Sequence, residues 1–156
     1  MIDPFNKLNV DISCLGNHEL DNGFEHAEKL VKKTNCPWIL SNLEDKSKGN
    51  KPLAGVLPHL CLEHQGFKIG FGGFADESWT DTFIPEIDCS LVEYTDYNVR
   101  LNEVSKKLKS EERCDLFFSL NHVRSQDDRL MASSNSSNEV DMILGGHDHS
   151  YLVELN

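Results

Sequence analysis

Three segments of the sequence place side chains that can bind metal directly after a short apolar run. They are GNHE at 16–19, NH at 121–122 and GGHDH at 145–149. Four of the seven histidines lie in these segments. In α/β sheets, ligands bind in the crevice outside the carboxyl ends of the strands, so we expect the three segments to meet there. Histidine and asparagine side chains suit Mn²⁺, Zn²⁺, Fe or Mg²⁺. The pattern therefore predicts a divalent metal site.

Each segment alone also has an ordinary structural explanation. A single histidine beside a strand end is usually a surface or capping residue, and Gly and Asn are common in turns because both tolerate positive φ. The pair His147 and His149 is more specific, because residues i and i+2 of an extended segment face the same side and can reach one dinuclear centre. His26, His59 and His64 lie outside the pattern and are interpreted as surface or capping residues.

The elements that must carry these segments alternate between strands and helices. Short apolar runs predict strands at 10–15, 38–40, 116–120 and 140–144, and a hairpin of 60–62 and 67–71 around Gln65-Gly66. Apolar residues at helical spacing predict helices at 23–33, 97–108 and 127–132. Polar composition predicts a loop at 44–51 and a linker at 133–138, whereas 75–95 has no clear pattern. This alternation is typical of a layered α/β fold.

Length and charge exclude several classes of protein. The 156 residues fit one domain. Fifteen Lys and Arg against 26 Asp and Glu give a net charge of −11, which argues against a nucleic-acid-binding surface. No apolar run approaches the roughly 20 residues of a membrane-spanning helix. Five cysteines without a CxxC pair predict reduced, mostly core-packing thiols rather than a disulfide framework or a Cys-rich zinc site.

Taken in order, the motifs resemble the calcineurin-like metallophosphoesterase superfamily and, within it, the catalytic domain of the 5′-nucleotidase family. The resemblance is carried by GNHELDNG (16–23), LSNLED (40–45), GFKIGFGGFADESW (66–79), SLNHVRSQDDRLMA (119–132) and DMILGGHDHSY (141–151). It implies an α/β/β/α sandwich and a metal-dependent hydrolase of phosphoesters, with nucleotide phosphomonoesters as the first expectation. Two divalent ions would polarise the phosphoryl oxygens and generate a hydroxide for in-line attack.

The resemblance also implies a role for individual metal-binding residues. Asn17, His122 and His147 resemble the terminal ligands of one metal, and His149 resembles a ligand of the second. The sequence does not choose among Mn, Zn, Fe and Mg.

Three further residues have roles implied by the same motifs. His18 resembles the catalytic histidine at the phosphate, and Asp21 resembles the carboxylate that orients it. An alternative for Asp21 is the N-cap of the helix that follows. Arg124 could contact phosphate through its guanidinium group, or it could be a solvated surface residue. Asp128 matches a family position without a clear role.

Part of the family pattern does not occur in this sequence. In the family, a D-x-H motif and a G-D motif precede GNHE and supply most ligands of one metal and the aspartate that bridges both. Neither occurs here. We therefore expect residues 1–156 to be a partial, N-terminally truncated metallophosphoesterase domain whose sandwich lacks its first strands and metal-binding loops. One metal would keep three protein ligands, and the second would keep only His149.

Alternative functions stay open at this point. The chain could be a catalytically inactive fragment or a metal-binding interaction module, or it could come from a phosphodiesterase or protein phosphatase of the same superfamily. Without the bridging aspartate, we expect the chain alone to show no turnover. The expected partner is a small phosphorylated substrate, in the first instance a nucleotide, and the oligomeric state is open. No signal peptide is visible, but a truncated start leaves localisation undetermined, with the cytoplasm as default.

Overall fold

Short strands and helices alternate along the chain, as the sequence pattern predicts. The computed structural model describes residues 2–84, 87–135 and 139–155. The strands are β1 (Ser13–Cys14), β2 (Trp38–Ile39), β3 (Leu43–Asp45), β4 (Lys51–Pro52), β5 (His59–His64), β6 (Phe67–Ala75), β7 (Val92–Tyr94), β8 (Leu116–His122) and β9 (Met142–Leu144). The α-helices are α1 (Ile2–Asn6), α2 (Phe24–Val31), α3 (Trp79–Thr82), α4 (Tyr97–Lys106) and α5 (Ser125–Ser134). Short 3-10 helices cover Asn17–Leu20, Lys46–Lys48, Leu53–Gly55 and Cys89–Leu91, and a short π-helix covers Lys107–Glu111.

The four-stranded sheet β5-β6-β8-β9 positions the predicted metal-binding segments. Strands β5 and β6 form the predicted antiparallel hairpin, and Gln65 and Gly66 have positive φ of 50° and 86° at its turn, which suits the right-handed twist of the paired strands. Strands β6, β8 and β9 are parallel neighbours. Because Ala75 pairs with His122, strands β6 and β8 end at the same level, and His122 lies at the carboxyl edge of the sheet.

Two smaller sheets lie outside this one. Strands β1 and β2 form a parallel pair, and β4-β3-β7 form an antiparallel sheet. The predicted loop at 44–51 is therefore wrong in part, because β3 and β4 enclose a 3-10 turn there. Strand β3 forms through its pairing with β7, from a region far along the chain, so the local polar composition could not reveal it.

The predicted linker is also partly wrong. Helix α5 continues through Ser134, and residues 136–138 of the predicted linker lie outside the described residues. The other predicted strands and helices are present with shifted ends, as is common where terminal turns fray.

Two apolar clusters cover opposite faces of strand β6. Successive side chains on a strand point to opposite faces, so Phe74 packs in one cluster and its neighbour Ala75 in the other. Helices α4 and α5 pack with Phe74 and Phe117, whereas helix α2, helix α3 and strand β3 pack with Ala75. This layering agrees with the expected α/β architecture. Among the described residues, no helix is both long and apolar enough to cross a membrane.

Candidate active site

His122 is the last residue of β8, and its imidazole ring is held by close packing. The buried ring of Trp79 meets it edge to face, with ring centroids 5.3 Å apart. The Trp79 indole nitrogen also donates a hydrogen bond of 3.2 Å to the His122 carbonyl. Gly16 is a second close neighbour, because a Cβ atom there would come within 3.0 Å of the imidazole. The glycine of GNHE is therefore needed for close approach to His122.

Three of the predicted ligands meet at this ring. The Asn17 Oδ1 atom lies 2.9 Å from His122 Nε2, and His147 Nδ1 lies 3.1 Å from the same nitrogen. The three side chains, called here the donor cluster, come from segments 105 and 25 residues apart in the sequence. Asn17 follows β1, His122 ends β8 and His147 follows β9, so the strand ends converge as the sequence predicts.

The donor cluster fits a divalent cation better than it fits a set of hydrogen bonds. If His122 Nε2 carries a proton, it must divide that proton between the Asn17 oxygen and the His147 nitrogen in a weaker three-centre bond. If it carries none, its lone pair faces the lone pairs of the Asn17 oxygen. By contrast, all three atoms can present lone pairs to one cation, and ligands about 2.1 Å from a cation at 90–109° lie about 3.0–3.4 Å apart. The observed separations are close to that range.

The protonation state of His122 supports the same interpretation. Burial and the neighbouring charge of His147 lower the pKa of His122 to about 4. The imidazole is therefore neutral near pH 7, and its lone pair is available to a ligand. The Nε2 atom of His147 is buried without a hydrogen-bond partner, so it can hold the ring proton and leave Nδ1 bare toward the cluster.

Asn17 is essential to the donor count. Among the described residues, no group of three or more His, Cys, Asp and Glu side chains is placed to hold a metal ion. The cluster reaches three donors only because the amide oxygen of Asn17 joins two imidazoles. An amide oxygen is a hard, neutral ligand, which suits Mn²⁺ or Mg²⁺ as well as Zn²⁺.

His149 does not share the position of His147. Both residues have positive φ, 71° for His147 and 53° for His149, so the expectation that they lie on an extended segment is wrong. Strand β9 ends at Leu144, and the next residue, Gly145, passes so close to Asp128 that a Cβ there would lie only 2.2 Å from its Oδ2 atom. The exposed His149 remains near enough for its charge to lower the pKa of His122.

Asp148, which the sequence analysis did not single out, fastens the loop that carries His147. Its Oδ2 accepts hydrogen bonds from the backbone nitrogen and hydroxyl of Ser125, at 2.8 and 2.9 Å, where helix α5 begins. Its Oδ1 accepts from Arg124 Nη1 at 3.0 Å. These bonds, first that of the Ser125 backbone, lower the pKa of Asp148 to about 2. Because Ser125 lies 23 residues away, no local pattern could have indicated this contact.

Arg124 is thus placed in an ion pair rather than alone in solvent. Its guanidinium group contacts Asp148 and is still about half exposed, at 56% of its side chain. A phosphate contact by Arg124 would have to share the guanidinium with Asp148, so that role stays a prediction.

Asp128 accepts a hydrogen bond of 2.7 Å from Asn121, the residue before His122, and burial raises the pKa of Asp128.

His18 and Asp21 form the predicted pair on the outside of the same loop. The His18 Nδ1 atom lies 2.9 Å from Asp21 Oδ2, and the two side chains are 75% and 54% exposed. The alternative of a helix N-cap is wrong for Asp21, because Gly23 occupies the N-cap of α2. Glu19, which the sequence analysis did not assign, accepts a hydrogen bond of 2.8 Å from the Gly16 backbone nitrogen and so closes the turn.

Known proteins resemble this chain in both sequence and fold. A family model described as calcineurin-like phosphoesterase matches residues 1–151. The 5′-nucleotidase of Vibrio parahaemolyticus is 29% identical over 151 residues, covering 90% of this chain and 26% of that protein. The 5′-nucleotidase of Homo sapiens is 29% identical over 153 residues, covering 97% of this chain and 26% of that protein.

A solved structure shows the same fold. YfkN, a calcineurin-like phosphoesterase from Bacillus subtilis, superposes with a TM-score of 0.77 at 23% identity, over 96% of this chain and 48% of that one. The chain spans about a quarter of the length of the curated relatives that it matches.

Proposed function

Because the chain belongs to the calcineurin-like phosphoesterase family, we propose that it carries part of the active site of a divalent-metal-dependent phosphoester hydrolase that acts on nucleotide phosphomonoesters. The observation that carries the proposal is the donor cluster, in which three neutral lone-pair donors from distant segments meet at His122 Nε2. A proton on His122 Nε2 could serve both contacts only as a shared, weaker three-centre bond, whereas a cation can accept a full lone pair from each of the three atoms.

The residues of the donor cluster would hold one metal, and His149 is proposed as a ligand of a second. When bound, such an ion supplies positive charge that polarises a phosphoryl oxygen. Asn17, His122 and His147 contribute no charge of their own, so they would orient the ion without neutralising it. Packing by Trp79 against His122 keeps the ligand ring in place without the ion.

The exposed pair would act on the phosphate rather than on the metal. Asp21 accepts a hydrogen bond from His18 Nδ1, which fixes the orientation of the ring and leaves Nε2 facing solvent and substrate. When the ring is an imidazolium and also carries a proton on Nε2, that atom would donate a hydrogen bond to a phosphoryl oxygen or a proton to the departing alcohol. The two groups would therefore have different roles: the buried residues would offer lone pairs to a cation, and the exposed histidine would offer a proton.

The proposal that the substrate is a nucleotide rests on the relatives, which are named 5′-nucleotidases. The residues of this chain that carry the proposal would recognise only the phosphate end of such a molecule. A phosphodiester or a phosphoprotein presents the same phosphoryl oxygens, so these substrates are distinguished by experiment.

Binding of Mn²⁺, followed by electron paramagnetic resonance, tests the metal site. We expect about one ion per chain, and His122→Ala should weaken binding by about 100-fold or more because it removes the central donor. His26→Ala is the matched control, since this exposed histidine on α2 lies outside the donor cluster. If the wild-type chain does not bind Mn²⁺, or if both variants bind equally, the proposal is wrong.

Phosphorus NMR relaxation tests the substrate class with the same Mn²⁺-loaded chain. Adenosine monophosphate should relax faster than bis(p-nitrophenyl) phosphate, which carries less negative charge, and at least as fast as a phosphoserine peptide, and the enhancement should disappear in His122→Ala. A stronger effect on the diester or the peptide would contradict the nucleotide assignment.

Turnover of p-nitrophenyl phosphate should stay at background, because the sequence contains no carboxylate that matches the family's bridging aspartate.

A further inference from the structure

Three aspartates of the chain use one oxygen in the same way. Each stands two residues before a serine, and its Oδ1 atom accepts hydrogen bonds from the backbone nitrogen and the hydroxyl of that serine. The three are Asp45, Asp76 and Asp88, with nitrogen-to-oxygen distances of 2.9, 2.8 and 3.0 Å. This arrangement stabilises the start of a helical turn and explains one oxygen of each carboxylate.

Asp76 differs from the other two in its second oxygen. Asp88 is exposed, whereas Asp45 and Asp76 are only 5% and 7% exposed. Among the described residues, the Oδ2 atom of Asp76 is the one carboxylate oxygen that is buried without a hydrogen-bond partner. A buried, unpartnered carboxylate oxygen is costly, so the turn at Ser78 does not explain why the position carries a charge.

The position of Asp76 places this oxygen beside the donor cluster. Asp76 directly follows β6, whose last residue, Ala75, pairs with His122. Its carbonyl accepts a hydrogen bond from the backbone nitrogen of Trp79, whose ring packs against the imidazole of His122. The negative charge of Asp76 also lies near enough to act on the His122 imidazole. The carboxylate is therefore close to the central ligand.

The charge of the donor cluster gives a reason for a buried carboxylate near it. Asn17, His122 and His147 are all neutral donors, so a divalent cation among them would lose hydration without gaining a negative ligand. We propose that the Asp76 carboxylate is a positioning residue that compensates the charge of a divalent cation held by the donor cluster. The inference rests on the proposed function, and it adds a residue outside the family motifs that carry the ligands.

Asp76→Asn isolates the charge, because the Asn amide oxygen can still accept from Ser78. We expect Mn²⁺ affinity to fall by about 10-fold to 100-fold, the usual effect of losing a group that supports metal ligands without touching the ion. Asp45→Asn is the matched control: it removes an equally buried carboxylate on strand β3 with the same serine contact, and its side-chain hydrogen bonds go to Ser47 rather than to the donor cluster. Its Mn²⁺ affinity should equal that of the wild type.

Ser78→Ala tests the proposal from the opposite side. It removes the hydroxyl contact and keeps the Asp76 charge, so it should lower the melting temperature while leaving Mn²⁺ affinity unchanged. An equal loss of affinity in Ser78→Ala and Asp76→Asn would show that only the turn matters and would overturn the inference. So would unchanged affinity in Asp76→Asn, although the metal site itself would stand. Absence of Mn²⁺ binding by the wild type would instead overturn the proposed function and this inference together.

Discussion

Asn17 and His18 are adjacent in sequence but belong to two different kinds of site. Asn17 points inward to the donor cluster, which is assembled from three distant segments. His18 points outward and pairs with Asp21, three residues away on the same 3-10 turn. One turn of backbone thus separates a buried set of lone pairs from an exposed histidine–aspartate pair. Burial of the first and exposure of the second distinguish the two sites.

The two sites also depend on different forces. The donor cluster needs Trp79 packed against His122 and the missing Cβ of Gly16 close to it, so it depends on tertiary packing. The His18–Asp21 pair needs only the local turn. Changes in packing should therefore disrupt the cluster and spare the pair, while changes in the pair should leave the cluster intact.

The largest effect should come from Trp79→Ala. Removing a buried aromatic side chain should lower the free energy of unfolding by about 3–5 kcal/mol, measured by urea denaturation. It also removes the hydrogen bond to the His122 carbonyl, so the His122 imidazole resonances should move in NMR spectra. Trp38→Ala is the control, because that half-buried indole bonds to Thr34 instead. A His122 shift of equal size in Trp38→Ala would contradict a specific role for Trp79.

Gly16→Ala should have a smaller effect that is concentrated on the donor cluster. The new Cβ would lie 2.7 Å from Glu19 Oε2 and 3.0 Å from the His122 ring, so one of them must move. Overpacking of this kind costs about 1–3 kcal/mol. Mn²⁺ affinity should fall with it, whereas Gly49→Ala, at a position with open space around it but a positive φ of 75°, should cost stability and keep Mn²⁺ affinity. Undiminished Mn²⁺ binding in Gly16→Ala would show that the close approach is not needed.

The pH dependence of stability should distinguish the buried histidine from an exposed one. Folding lowers the pKa of His122 from 6.5 to about 4, so between these values the unfolded chain binds the proton more readily. Stability from this group is complete above pH 6.5 and declines as the pH falls toward 4. In the absence of metal, the slope of unfolding free energy against pH should be shallower in His122→Ala than in the wild type. His26→Ala should keep the wild-type slope, and equal slopes in all three proteins would refute the shift.

Asp21→Asn should produce the smallest effect on the fold. The pair is largely exposed, so melting temperature and Mn²⁺ affinity should stay at wild-type values. The ring nitrogens of His18 should nevertheless change in ¹⁵N NMR spectra, because the carboxylate no longer selects the tautomer with the proton on Nδ1. Loss of Mn²⁺ binding in this variant would show that the two sites are not separate.

Much of the fold was predictable where local chemistry decides it. Gln65-Gly66 between two apolar runs predicted the hairpin, because Gly adopts positive φ without strain at a two-residue turn. The apolar run before Asn121-His122 predicted the strand that ends at His122. By contrast, β3 was interpreted as a loop, since its pairing with Val92–Tyr94 involves residues about 50 positions away.

In the candidate site too, local features could be predicted from the sequence and long-range contacts could not. By itself, the sequence determined the types of donor and the strand ends that carry Asn17, His122 and His147, because side-chain chemistry and apolar periodicity are local properties. Only the tertiary structure decided that Asp148 fastens to Ser125, that His147 adopts positive φ and that the Asp76 carboxylate is buried beside the cluster. Each of these depends on where distant segments pack and which polar atoms that packing leaves unpaired, and no local pattern encodes either.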